Sequence, residues 1–184
     1  MHDRETSTGP SAAIPAGGAT TVVSGGSRGL GLAVVRRLLA RGDRVATFSR
    51  SGSRELQTLL DAHPGRLFHR PVDAADPRAV RRFVAEAAHA FGTIDHCVAN
   101  AAIAAEGVLA TMTDDDIDAM LTVNLRGSIV LVRECVRHFL ARPRPTEGEG
   151  RASGHGTVVV VSSIVADRGS PGLAVYAEIG RAHV

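Results

Sequence analysis

The chain has 184 residues, 44% of them hydrophobic, with a formal net charge of +2. That length suits one domain with a sizeable core. Near-neutral charge, dispersed arginines, one tyrosine and no tryptophan argue against a nucleic-acid partner. No apolar run approaches the ~20 residues that cross a bilayer, and two cysteines are too few for a disulfide framework. Neither a CxxC pair nor a His/Cys cluster at metal spacing is present, so no metal is expected.

Residues 1–19, rich in Ser, Thr, Gly, Pro and Ala, read as a disordered tail. They lack a basic start followed by an apolar stretch, so a secretory signal is not expected and the cytoplasm is the default compartment. "TTVVS" (20–24) reads as a buried strand, and "GLGLAVVRRLLARG" (29–42) as a helix with the stripe Leu32, Val35, Leu38, Leu39. Strand 44–50, helix 53–63, strand 66–72 and helix 76–92 follow, the last capped by Asp76 with Pro77 in its first turn. After strand 94–100, one long helix is predicted over 113–141, its acidic start suiting the helix dipole. A Pro/Gly/charged loop over 142–155 leads to strand 156–163, and a last helix begins near the C-terminus. Continuous β-branched runs separated by helices predict an α/β fold, a doubly wound parallel sheet of Rossmann type with five strands, filling residues 20–177.

The first strand-to-helix turn is "SGGSRGLG" (24–31). Gly25, Gly29 and Gly31 stand where a tight turn needs positive φ and where a backbone must approach a pyrophosphate closely. The helix N-terminal N–H groups then face that anion. Ser24, Gly25, Ser27, Arg28, Gly29, Leu30 and Gly31 are therefore the expected phosphate-side contacts.

Ser24, Gly25, Gly29 and Gly31 match a T-G-x3-G-x-G motif with serine for threonine, and the chain resembles the short-chain dehydrogenase/reductase family from about residue 19 to Ala177. The resemblance implies a nicotinamide dinucleotide and a small carbonyl or alcohol substrate, as in the 3-oxoacyl reductases. It also implies a homodimer or homotetramer. At the end of the second strand, an Asp would bind a ribose diol and repel a 2′-phosphate. Here Ser49-Arg50 stands there, with Arg28 in the glycine loop, so NADP(H) is expected over NAD(H). Asp73 aligns with the family aspartate that holds the adenine amino group; capping the loop into the next helix is its other role. The family's N-N-A-G appears as Ala99-Asn100-Ala101-Ala102, keeping Asn100 and Ala101 and placing a methyl group where the family has glycine.

The resemblance assigns catalysis to three residues. Tyr176 gives or takes the substrate proton, Ser163 orients the substrate oxygen, and Asn124 kinks the long helix and anchors a water in the proton relay. A free phenol titrates near ~10, so such a tyrosine needs help at neutral pH. The family supplies it with a lysine one helical turn on. That position is Gly180, and the chain contains no lysine at all. Arg181 lies a further ~100° around the helix. As written, the sequence is expected to be catalytically crippled.

From Glu178 the match stops. "EIGRAHV" (178–184) back-translates to codons that resemble a common short-read sequencing adapter, so these residues are expected to be foreign, with the later strands and substrate lid missing. The edge of the fifth strand would then lie unpaired and apolar. Two other readings stand beside the reductase. One is a non-catalytic NADP(H)-binding sensor; the other is an S-adenosylmethionine-dependent methyltransferase, which leaves Ser163, Tyr176 and Asn124 unexplained.

Overall fold

The computed structural model describes residues 18–142 and 156–183. Residues 1–17 of the tail predicted over 1–19, most of the loop before the fifth strand and Val184 lie outside the described residues. Five parallel strands form one sheet in the order β3-β2-β1-β4-β5. They are β1 (Thr20–Ser24), β2 (Arg44–Ser49), β3 (Leu67–Pro71), β4 (His96–Ala99) and β5 (Thr157–Val160).

β1 is central and buried at every position. Its neighbouring valines split between the faces, as strand alternation requires. Val23 packs with Leu32, Val35 and Leu39 of α1 (Gly29–Ala40) and Leu56 of α2 (Arg54–Ala62). Val22 packs on the other face with Val80, Phe83 and Val84 of α3 (Pro77–Phe91) and Leu131 and Cys135 of α5 (Ser128–Leu140). The apolar runs are thus continuous because both faces are covered. On that second face Phe83 stacks on Phe68 at 5.7 Å between centroids and meets Phe48 edge-on at 5.0 Å.

The chain winds outward through β2 and β3, then crosses back to place β4 on the other side of β1. This reversal opens a crevice at the C-terminal ends of β1 and β4, the place where doubly wound sheets take ligands. β5 pairs only with β4 among the described residues, and Val158 and Val159 are 38% and 48% exposed.

The long helix predicted over 113–141 is three segments. α4 (Asp114–Met120), capped by Thr113, runs into a π-helical turn over Leu121–Gly127 and then into α5. A wide turn carries an extra residue and re-aims the side chains within it. Gly127 belongs to this adjustment, because a Cβ there would lie 2.7 Å from the Ala74 carbonyl oxygen in the loop after β3. α6 (Val165–Arg168) is not anticipated by the sequence: four residues with no side-chain cap give no periodic signal. α7 (Ala174–Arg181) is the last helix.

Candidate active site

The glycine turn lies at the crevice, packed so closely at Gly26 and Gly31 that neither position has room for a side chain. Gly25 has φ +73°, and its N–H donates to the Phe48 carbonyl at 2.8 Å, tying the turn to β2. A Cβ on Gly31 would sit 2.2 Å from the Gly25 oxygen, and one on Gly26 would meet Thr47 Oγ1 at 2.0 Å. Thr47 is fixed there by donating to the Val23 carbonyl at 2.8 Å. Gly26 is a requirement that the sequence motif does not announce, hidden in one of its variable positions.

Gly29 differs. Its φ is +55°, yet a Cβ there would meet nothing within 4 Å. Open space lies in front of it at the start of α1. Arg28, at the N-cap position, makes no side-chain cap, and the first turn of α1 holds no acidic residue. By contrast Ser53, Asp76 and Thr113 cap α2, α3 and α4 with side-chain oxygens. The N-terminal N–H groups of α1 therefore keep their donors and their partial positive charge for an external anion. Ser27 is buried beside them, while Arg28 and Leu30 are exposed.

Ser24 joins the turn to β4. Its Oγ accepts from the N–H groups of Asn100 and Ala101, both at 2.9 Å, and Asn100 Nδ2 donates back to the Ser24 carbonyl at 3.0 Å. Serine thus fills the motif's threonine position with the oxygen that matters. At the end of β2, Ser49 is half-buried and Arg50 exposed. Neither Arg28 nor Arg50 forms an ion pair among the described residues, so both cations are available. Asp73 is exposed, and its Oδ1 accepts from the Ala75 N–H at 2.9 Å, so the loop-capping role has a visible bond.

Ala101, Asn124, Ser163 and Tyr176 line one cleft at the β4 and β5 ends, together with Gly180 and His183. The structure thus gathers the three residues to which the resemblance assigns catalysis. Asn124 is buried in the π-helical turn; its Oδ1 accepts from the Ile103 N–H at 2.8 Å and its Nδ2 donates to the Ile103 carbonyl at 2.7 Å. Both ends of the amide thus bond to the loop after β4. Ser163 Oγ accepts from the Val165 N–H at 3.3 Å, a weak bond that leaves its proton free.

Gly180 is buried against α6, where a Cβ would lie 2.8 Å from Ala166 Cβ. Ser162, unremarked in the sequence, donates from Oγ to the Gly180 carbonyl at 3.0 Å, and Arg181 Nε donates to the Ala166 carbonyl at 2.8 Å. These bonds dock α7 and with it Tyr176. Arg181 thus turns its guanidinium to α6. Among the described residues no group of three or more His, Cys, Asp or Glu could hold a metal. No described helix is long and apolar enough to cross a membrane.

The chain is similar to known proteins in sequence and fold. The short chain dehydrogenase family model matches residues 19–178. The 2-(R)-hydroxypropyl-CoM dehydrogenase of Xanthobacter autotrophicus is 32% identical over 161 residues, covering 84% of this chain and 60% of that protein. A short chain dehydrogenase from Burkholderia cenocepacia, solved in complex with NADP, is 36% identical with a TM-score of 0.76, over 90% of this chain and 64% of that one. A Brucella melitensis 3-oxoacyl-[acyl-carrier protein] reductase in complex with NAD is 27% identical with a TM-score of 0.76, over 89% and 62%. The chain therefore spans less than two thirds of the length of each relative. On its glycine turn, its sheet order and the extent of these matches, it belongs to the short-chain dehydrogenase family.

Proposed function

We propose that this chain is the cofactor-binding part of an oxidoreductase that exchanges a hydride between NADP(H) and a ketone or secondary alcohol of 3-oxoacyl or related type. The observation that carries the reading is the uncapped start of α1, facing open space at Gly29 in the crevice of the reversed sheet. Gly25, Ser27, Arg28, Gly29, Leu30 and Gly31 would hold the pyrophosphate, Asn100 and Ala101 the adjoining ribose, and Asp73 the adenine. Ser49, Arg28 and Arg50 would hold a 2′-phosphate, a dianion that two guanidinium groups suit. The NADP complex of the Burkholderia relative supports that preference, and the NAD complex of the Brucella reductase marks its alternative.

The nicotinamide supplies the hydride; the protein has one oxygen to place and one proton to move. Ser163, with its proton free, hydrogen-bonds the substrate oxygen. Tyr176, across the same cleft, gives that oxygen its proton in reduction and takes it back in oxidation. Asn124 holds the loop at Ile103 that forms the cleft wall. A cytoplasmic homodimer or homotetramer completes the reading, with Ile129 of α5, 56% exposed, available to an interface. The family assignment leaves the methyltransferase alternative without support.

Gly180 favours a second reading. Its tight fit against Ala166 suits a chain that binds NADP(H) without turnover, because a lysine would have to push α6 away from α7. Resequencing the gene across codon 178, then assaying its product for NADPH oxidation against a ketone panel, separates the two. Turnover with lysine at 180 supports the reductase. Binding without turnover in a product that keeps Gly180 supports the sensor, and no NADP(H) association overturns both.

A further inference from the structure

At the outer edge of the crevice, Ser49 ends β2 and His69 lies on the adjoining β3, where the strands run parallel with Thr47 opposite His69. Ser49 Oγ stands 2.8 Å from the Ser51 carbonyl oxygen and 3.0 Å from His69 Nε2. A hydroxyl has one proton and two lone pairs, and a carbonyl oxygen only accepts. Both contacts are hydrogen bonds only if Ser49 donates to Ser51 and His69 Nε2–H donates to Ser49. With the opposite tautomer the one hydroxyl proton could serve only one of the two contacts, leaving either two oxygens at 2.8 Å or an oxygen and a nitrogen at 3.0 Å with no proton between them. Burial, and then the Arg70 charge, lower the His69 pKa below the ordinary imidazole value. The pattern needs a proton on Nε2, and the neutral ring that burial favours carries its single N–H there.

We propose that His69 is a positioning residue for 2′-phosphate recognition: by donating to Ser49 Oγ, it keeps the Ser49 hydroxyl a donor directed outward at the end of β2. The Ser51 carbonyl takes that proton in the free protein, and a phosphate oxygen takes it in the complex. No bond is made or broken; the hydroxyl only rotates. His69 itself does not touch the nucleotide. The inference rests on the NADP(H) reading above and adds a residue outside the glycine motif that sharpens the choice between the two dinucleotides.

The test is calorimetric titration of the 184-residue chain with NADPH and with NADH. Wild type is expected to bind NADPH more tightly. His69→Leu is expected to lower the NADPH-to-NADH affinity ratio by about threefold to tenfold, the worth of one oriented hydrogen bond, while NADH affinity stays put. His69→Gln, which retains an N–H donor, is expected to recover most of the ratio. In a Ser49→Ala background, His69→Leu is expected to add nothing. A wild-type preference that survives His69→Leu, or a loss shared equally by both nucleotides, overturns the inference and leaves the cofactor reading standing. A wild-type ratio of one overturns both. Nitrogen NMR of the free protein tests the tautomer independently: the proton on Nε2 of His69 agrees, and the proton on Nδ1 refutes.

Discussion

Replacing Ser24 by alanine removes a single oxygen and strands two backbone N–H groups. Asn100 and Ala101 both donate to that oxygen at 2.9 Å, and Ser24 is 3% exposed. A buried N–H left without a partner costs ~1–3 kcal/mol, but both donors are half-buried and water reaches them in part. The expected loss for Ser24→Ala is therefore ~1.5–3 kcal/mol, or a melting temperature lower by roughly 3–10 °C for a chain of this size. Ser24→Thr keeps the oxygen and matches the family motif, so its cost should stay under ~1 kcal/mol. Urea unfolding followed by far-ultraviolet circular dichroism reads both variants. An alanine midpoint equal to wild type, at unchanged slope, would refute the claim that this oxygen locks the glycine turn to β4.

Asn124→Leu breaks both bonds to Ile103 and leaves its N–H and carbonyl unpaired; about 2–4 kcal/mol of stability should disappear in the same urea assay. Gly31→Ala and Gly29→Ala should separate sharply. The first drives a methyl into the Gly25 carbonyl and should cost ~2–4 kcal/mol, while the second meets open space and should cost ~1–2 kcal/mol through its positive φ alone. Their circular-dichroism melting curves give the order. The N–H groups of Ala79, then Arg78, hold the Asp76 carboxyl below its ordinary pKa. Its contribution is complete above the unfolded-state pKa near ~4 and disappears as pH falls through the lower folded value. An acid-unfolding titration of Asp76→Ala should accordingly show a flatter dependence on pH below ~4 than wild type.

Much of the fold was legible because its signals are local and redundant. The β-branched runs over 20–24 and 44–50, the stripe Leu32, Val35, Leu39 and the Asp76-Pro77 start each carry their own physical cause, and each element lies within a residue or two of its expected place. What stayed hidden depends on contacts distant in sequence. The π-helical turn at Leu121–Gly127 is recognisable only once Ile103 and Ala74 are known to lie against it. Gly26 is dictated by Thr47 on another strand, and the Ser49–His69 pair by the β2–β3 register. At the site, the grouping of Asn124, Ser163 and Tyr176 followed from family likeness, since nothing in their spacing alone brings them to one cleft. The close fit of Gly180 against Ala166 was likewise invisible in a sequence that shows only a missing lysine.

Tyr176 is the only tyrosine in a chain without tryptophan, so its fluorescence reports on the cleft alone. Titrating the protein with NADPH while following that emission tests whether a dinucleotide lies across the glycine turn with its nicotinamide end toward the phenol. Saturable quenching by NADPH is the expected result, and adenosine 2′,5′-bisphosphate, lacking the nicotinamide, should not reproduce it. NADPH titrated to millimolar concentration with no saturable change in Tyr176 emission would contradict that placement.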